Sequence, residues 1–289
     1  MHFVEAKSLL SRSNGMNLYR GCVHGCVYCD SRSRCYQFSH AFEDVEVKRN
    51  APQLLESALR ARGRACMICT GSMSDPYQPC EEELRLTRRC LEIIERYGFG
   101  ASVITKSDLV LRDLDLFERI NRRSRSVLQM TLTVSDEGLS RILEPNVCTS
   151  AARYAVLKEF QRRKIPTVVW MTPLLPFLTD TQENVRRLLD WCFDAGVKGI
   201  VCFGAGMTLR EGNREYYYRA LDRHFPGLSE KYRRTYANAY EVPSPDHAAL
   251  MRLFHTACEK HGVLHEAEDC FRFIAAMPER TAQLSLFDG

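Results

Sequence analysis

The stretch Gly21-Cys22-Val23-His24-Gly25-Cys26-Val27-Tyr28-Cys29 sets three thiols in one tight, glycine-flanked loop. It follows a short β-prone run at about 16–20, and beyond it the chain alternates β-rich runs with longer amphipathic ones. Met67 to Thr70, Ala101 to Thr105, Val127 to Thr133, Thr167 to Thr172 and Gly199 to Phe203 read as strands. Between them, apolar residues three and four apart predict helices at about 50–62, 83–97, 109–122, 149–163 and 181–195. Asn50 before Ala51-Pro52 reads as an N-cap followed by proline in the first turn. Such alternation with short connections dictates parallel strands joined by right-handed crossovers. Six β/α units are too few for a closed eight-stranded barrel. The predicted fold is an α/β partial (β/α)6 TIM-type barrel over residues 1–205, with chemistry on the loops at the C-terminal strand ends. A C-terminal extension over 206–265, with a helix at about 245–261, and a polar tail over 266–289 complete the expected organisation.

The chain has 289 residues, 45% hydrophobic and 26% charged, ordinary proportions for a folded domain. Its start lacks the long apolar core of a signal peptide, and no run is long enough to span a membrane, so a cytoplasmic protein is expected. Thirteen cysteines in that setting point to metal ligation or buried free thiols rather than disulfides. The net charge of +4 is mild. Arginine clusters at 60–64, 119–125 and 162–164 fall at the ends of predicted helices, where the helix dipole and solvent favour cations without any nucleic acid.

Three thiolates can hold three irons of a 4Fe–4S cube and leave the fourth iron open. An open iron suits S-adenosylmethionine (SAM), whose amino and carboxylate groups would chelate it. An electron from the cluster then breaks a carbon–sulfur bond and yields a 5′-deoxyadenosyl radical, with the protein supplying orientation and exclusion. The competing reading is a zinc site completed by Cys35 or His24. Zinc sites usually join two paired elements, and here there is one three-ligand loop. Cys66 and Cys69 make a further C-x2-C, but on opposite faces of a strand they read as buried free thiols.

The CxxxCxxC spacing, with an aromatic before its last cysteine and a strand before its first, resembles the radical SAM superfamily. Asn17 to Cys22, Thr70 to Pro79, Ile104 to Ser107 and Leu143 to Pro145 resemble its spore photoproduct lyase-like branch, over roughly residues 16–205. The resemblance implies a partial barrel, a 4Fe–4S cluster on Cys22, Cys26 and Cys29, SAM as cofactor and a flavodoxin- or ferredoxin-type electron donor. It also implies lyase-like action on a DNA base lesion. By the same resemblance Tyr28 stacks near adenine and relays a radical, and Ser72, Ser74 and Asp75 meet the SAM amino group. Lys106 meets its carboxylate, Thr131 and Thr133 reach the ribose, and Met171 to Pro176 back the adenine. Two positions depart from the branch. Ser72 stands where it has a hydrogen-donating cysteine, and Asp30 where it has a second tyrosine. Cys69, Tyr77 and Cys80 are the candidates to replace the missing thiol. The tyrosine- and arginine-rich region 214–240 is expected to stack on bases and touch phosphates. The alternatives are the same chemistry on a peptide, RNA or small molecule, and a metal-stabilised binding module without catalysis.

The final residues, Gln283-Leu284-Ser285-Leu286-Phe287, resemble the peptide by which bacterial repair enzymes dock on the replication sliding clamp. Leu286 and Phe287 would fill an apolar pocket while Gln283 bonds at its rim and Leu284 adds apolar contact.

Overall fold

The computed structural model describes residues 1–278. Near its start lie β1 (His2–Val4), β2 (Gly15–Met16) and β3 (Tyr19–Arg20), and beyond the cysteine loop β4 (Glu46–Lys48). The strand expected at 16–20 is divided. Met16 pairs with Thr70 in the main sheet, whereas Tyr19 pairs with Val47 in a small sheet of order β1-β4-β3. Leu18 and Tyr19 are both buried. Adjacent strand residues point to opposite faces, so this segment is covered on two sides as it passes from one sheet to the other.

The barrel then runs α1 (Ala51–Arg60), β5 (Met67–Thr70), α2 (Glu81–Leu84), α3 (Leu86–Tyr97), β6 (Gly100–Thr105), α4 (Leu114–Arg123) and β7 (Ser126–Thr131). It continues through α5 (Glu137–Leu143), α6 (Ser150–Arg162), β8 (Thr167–Trp170), α7 (Gln182–Asp194) and β9 (Gly199–Val201). The sheet order is β2-β5-β6-β7-β8-β9, with every pairing parallel, which is the predicted open partial barrel. The helix expected at 83–97 breaks at Arg85, whose φ is +49°. The Glu81 carboxylate accepts the Thr87 backbone N–H at 3.0 Å, so α3 is capped from upstream. The helix expected from 109 opens with 3₁₀ turns over Asp108–Asp113.

Ile68, Val103, Leu128 and Val169 face one side of the sheet and pack against Leu55, Leu91, Phe117, Phe160 and Leu188 of the helices. The strand register puts Cys69, Ser102, Gln129 and Trp170 on the other, inner face, together with Val127, Val168 and Val201.

Beyond β9 come β10 (Gly206–Thr208), α8 (Asn213–His224), α9 (Leu228–Tyr236), β11 (Glu241–Pro243), α10 (His247–His261) and α11 (Ala267–Ala275). The tail expected from residue 266 is corrected by α11. Cys270 and Ile274, one helical turn apart, pack onto Met67, Val127, Val168 and Val201 and close the inner face. Among the described residues, no helix is long and apolar enough to cross a membrane. Gln283, Leu284, Leu286 and Phe287 lie outside the described residues.

Candidate active site

The cysteine loop leaves the sheet at a glycine that only glycine can be. Gly21 has φ +88°, and a Cβ there would lie 2.4 Å from the Phe42 carbonyl oxygen. Cys22 N–H donates to that same oxygen at 3.1 Å. On one flank the Ser74 hydroxyl donates to the Gly21 carbonyl at 2.5 Å, and the Gln78 side chain accepts from Val23 N–H at 3.2 Å. On the other, Val27 N–H donates to Leu143 at 2.9 Å and Asn146 N–H to His24 at 3.2 Å. The loop is thus held between the segment after β5 and the segment after α5.

Cys22, Cys26 and Cys29 line a cavity of about 800 Å³ at the C-terminal strand ends, where a barrel of this kind keeps its chemistry. All three are free thiols. Burial pushes Cys22 up to about 12 and Cys26 well above the ordinary thiol range. Buried thiols with that penalty become thiolates when a cation offsets it. Their spacing separates the two metal readings. Tetrahedral zinc with sulfurs at 2.3 Å holds them about 3.8 Å apart. Among the described residues, the trios whose ligand atoms all lie within 4.8 Å of one another are His2, His40, Glu46 and His255, His265, Glu266, and the cysteine loop is not one of them. Three thiols spaced wider than one ion requires fit a multi-iron cube, in which sulfides part the metals. Cys35, named as a fourth zinc ligand, is exposed and lies beside Arg210 at 3.6 Å.

Opposite the cysteines, Ser72, Ser74, Asp75, Lys106 and Thr131 also line the cavity. Two of them are already committed. Ser74 holds Gly21, and Asp75 accepts from Tyr77 N–H (2.8 Å), the Thr105 hydroxyl (2.6 Å) and Lys106 N–H (2.8 Å). Asp75 Oδ2 is 3.5 Å from His24 Nδ1, but burial pushes the imidazole down, so the contact is not a full ion pair at neutral pH. Exposed Ser72 and half-buried Lys106 carry side chains less engaged in holding loops. Thr133, expected at the ribose, is instead buried with its hydroxyl 3.5 Å from that of Tyr28, and does not line the cavity.

Tyr28 itself lines the cavity, and its hydroxyl donates to the buried Glu144, which pairs with the buried Arg153. Arg153 also donates to the Thr131 carbonyl at 2.9 Å and the Cys148 carbonyl at 3.2 Å. The Lys106 ammonium lies 5.8 Å from the centre of the Tyr28 ring. Burial works against its charge, but Cys26 and Glu144 outweigh that and raise its pKa. Glu144 was visible in the sequence as part of a motif, without a role. Arg153 was missed, although its signal was present: it shares the apolar face of its helix with Val156, Leu157 and Phe160.

The three candidate hydrogen donors separate cleanly. Tyr77 is buried with its hydroxyl on Asp113 at 3.0 Å, and neither it nor Cys80 lines the cavity. Cys69 does line it, with its thiol pushed up to about 11 by burial. The expectation of a stacking surface over 214–240 is corrected at three of its tyrosines. Tyr217, Tyr218 and Tyr232 are core residues, the hydroxyls of Tyr217 and Tyr232 being 3.0 Å apart and the latter donating to the Pro176 carbonyl at 2.7 Å.

An open parallel barrel that gathers three spaced thiols and a half-buried lysine at its strand ends is built for a metal-cluster enzyme of the TIM-barrel type. Comparison with known families places it further: the chain belongs to the radical SAM superfamily, whose model matches residues 16–192. Members of this superfamily catalyse radical reactions with a 4Fe–4S cluster and SAM. An uncharacterized protein of Mycobacterium tuberculosis is 30% identical over 248 residues, covering 82% of this chain and 71% of its own. One of Methanocaldococcus jannaschii is 34% identical over 171 residues, covering 58% of this chain and 62% of its own. Among solved structures, a spore photoproduct lyase mutant superposes with a TM-score of 0.64 at 14% identity, covering 91% of this chain and 80% of that one. Another, with bound AdoMet and dinucleoside spore photoproduct, gives 0.62 at 13% identity, covering 86% and 74%. These likenesses establish the shared fold.

Proposed function

We propose that this radical SAM enzyme acts on a base lesion in DNA, in a lyase-like reaction with Cys69 as the hydrogen donor. When bound, the cluster and SAM supply one electron and a 5′-deoxyadenosyl radical. The chain's own residues bind, orient and finish. Cys22, Cys26 and Cys29 hold the cluster; Lys106 meets the SAM carboxylate; Tyr28, fixed by Glu144, presents its ring to the adenine; Thr131 and Ser72 offer hydroxyls at the rim.

The observation that carries the lyase reading is the thiol of Cys69 in the cavity, on the inner face of β5. A lyase-like reaction that starts by taking a hydrogen atom and leaves the substrate neither oxidised nor reduced must return one, and an S–H gives it far more readily than the O–H of Ser72. With its pKa pushed up to about 11, Cys69 keeps that hydrogen at neutral pH. The thiyl it leaves regains one electron from a flavodoxin- or ferredoxin-type donor and one proton from solvent. Action on a DNA lesion draws support from the fold shared with spore photoproduct lyase. The test is a deuterium-transfer assay with lesion-bearing oligonucleotides labelled at the reacting carbon. Deuterium in 5′-deoxyadenosine is the expected result, and its absence with oligonucleotides but presence with a peptide would move the chemistry to another substrate.

Lys106→Ala should keep the cluster and lower SAM affinity by about ten- to a hundredfold, the worth of one charge-assisted hydrogen bond to a carboxylate. Equilibrium binding to cluster-loaded protein measures it, and unchanged affinity would remove Lys106 from the SAM site.

A further inference from the structure

We infer that Trp170, Phe203 and Phe271 form a stacking seat for one nucleobase of the substrate, with His247 reading its edge. The inference rests on the DNA-directed reading above and names residues that reading leaves unassigned. The three rings come from distant parts of the chain: the end of β8, the residue two beyond β9, and α11. They converge with centroids 5.8, 5.9 and 6.2 Å apart. All three line the same cavity as the cysteines, and β8 and β9 lie at the opposite end of the sheet from β2, which leads toward the cluster loop.

Exposure sets these rings apart from core packing. Phe203 is 62% exposed, more than any other large hydrophobic residue described, and Phe271 is 40% exposed. Two exposed phenylalanines beside a tryptophan, in a cavity that continues to the reactive centre, present apolar faces to whatever enters it. The seat is also rigid. Trp170 Nε1–H donates to Gln129 Oε1 at 2.7 Å, and Gln129 Nε2 donates to the Ser102 hydroxyl at 2.8 Å, so the indole is pinned through two neighbouring strands. A fixed aromatic platform favours a planar π system over an aliphatic chain.

His247 adds a polar edge. Its Nδ1 lies 3.0 Å from the Ala205 carbonyl oxygen, which can only accept, so in the neutral ring Nδ1 carries the hydrogen and Nε2 is an acceptor. A ring N–H or exocyclic amine of a base is the donor that fits it. The close approach depends on Gly204, φ +114°, where a Cβ would fall 2.8 Å from His247 Cε1. A flat ring with donor groups on its rim matches this combination better than a phenyl side chain, which has none.

The chain has two tryptophans, and the other, Trp191, stacks on Tyr154 and does not line the cavity. Cluster-loaded Trp191→Phe protein therefore reports on Trp170 alone. Titration with a short single-stranded oligonucleotide in the presence of SAM should quench its fluorescence saturably, and an abasic oligonucleotide of equal length should not. Adding Phe203→Leu and Phe271→Leu, which keep apolar volume but remove the π faces, should weaken oligonucleotide binding about tenfold or more. Phe203→Tyr should bind as the parent does. Equal quenching by the abasic strand, unchanged affinity in the leucine variant, or quenching by a phenylalanine-containing peptide and not by the oligonucleotide would each overturn the seat. Deuterium transfer with unchanged affinity in the leucine variant would sink the seat alone; quenching without deuterium transfer would sink the lesion chemistry alone.

Discussion

Arg153→Ala should lower the melting temperature by roughly 10 °C. The guanidinium is fully buried against an equally buried Glu144, and its removal leaves that carboxylate inside the protein without its cation. Breaking a buried pair on one side costs about 3–5 kcal/mol, and each kcal/mol moves the melting point by about 2–4 °C in a chain of this size class. The pH dependence gives a second reading. Burial pushes the Glu144 carboxyl up, but Arg153 and Lys106 outweigh it and hold the group below its ordinary range. In the parent, its contribution is present above the ordinary carboxylate pKa and lost as pH falls through the lowered one. Without Arg153 burial dominates, the sign reverses, and the deficit should shrink as pH falls through the usual carboxylate range. Calorimetry of Arg153→Ala, and of Glu144→Gln combined with Arg153→Met, measures both. The neutral pair should recover most of the loss, and an unchanged melting point in Arg153→Ala would show that the pair holds nothing together.

Cys26→Ala should purify colourless, with iron near zero after anaerobic reconstitution. The remaining two thiolates would leave a second iron of the cube unprotected, and the cluster should degrade rather than persist. The same loss is expected for Cys22→Ala and Cys29→Ala. Cys35→Ala, at an exposed thiol outside the cavity, should retain iron near the parent level. Iron and sulfide analysis decides it, and a Cys26→Ala chain with parental iron would overturn the cluster assignment.

What the sequence made legible follows from the range of the interactions involved. β5 to β9 and their helices announce themselves through local periodicity, and they stand where it puts them. β7 and β8 stop at Thr131 and Trp170, earlier than expected, because Leu132, Thr133 and Met171 stay buried after the strand elements end. The three-residue strands β1, β4, β10 and β11 are too short to carry a period and exist through partners far along the chain. Composition misled at Tyr217 and Tyr232, where arginine-rich surroundings suggest surface and the tyrosines form a core whose hydroxyls bond each other. In the site, residue types at strand ends marked the cavity correctly, but not which of them were spoken for. That Asp75 and Ser74 brace loops, that Thr133 is buried against the Tyr28 hydroxyl, and that Cys69 alone of the three candidate donors reaches the cavity depend on contacts across 30 to 105 residues of sequence. Trp170, Phe203 and Phe271 meet only when α11 folds back onto the sheet, and no local pattern encodes that return.

The central claim is that this chain generates a radical from SAM at a cluster held by Cys22, Cys26 and Cys29. It is tested most directly by incubating anaerobically reconstituted protein with dithionite and SAM and quantifying the nucleoside products. The expected result is 5′-deoxyadenosine and methionine in equal amounts, dependent on dithionite and absent from Cys26→Ala. A fully iron-loaded protein that forms no 5′-deoxyadenosine, or a colourless one holding zinc in the cysteine loop, would contradict it.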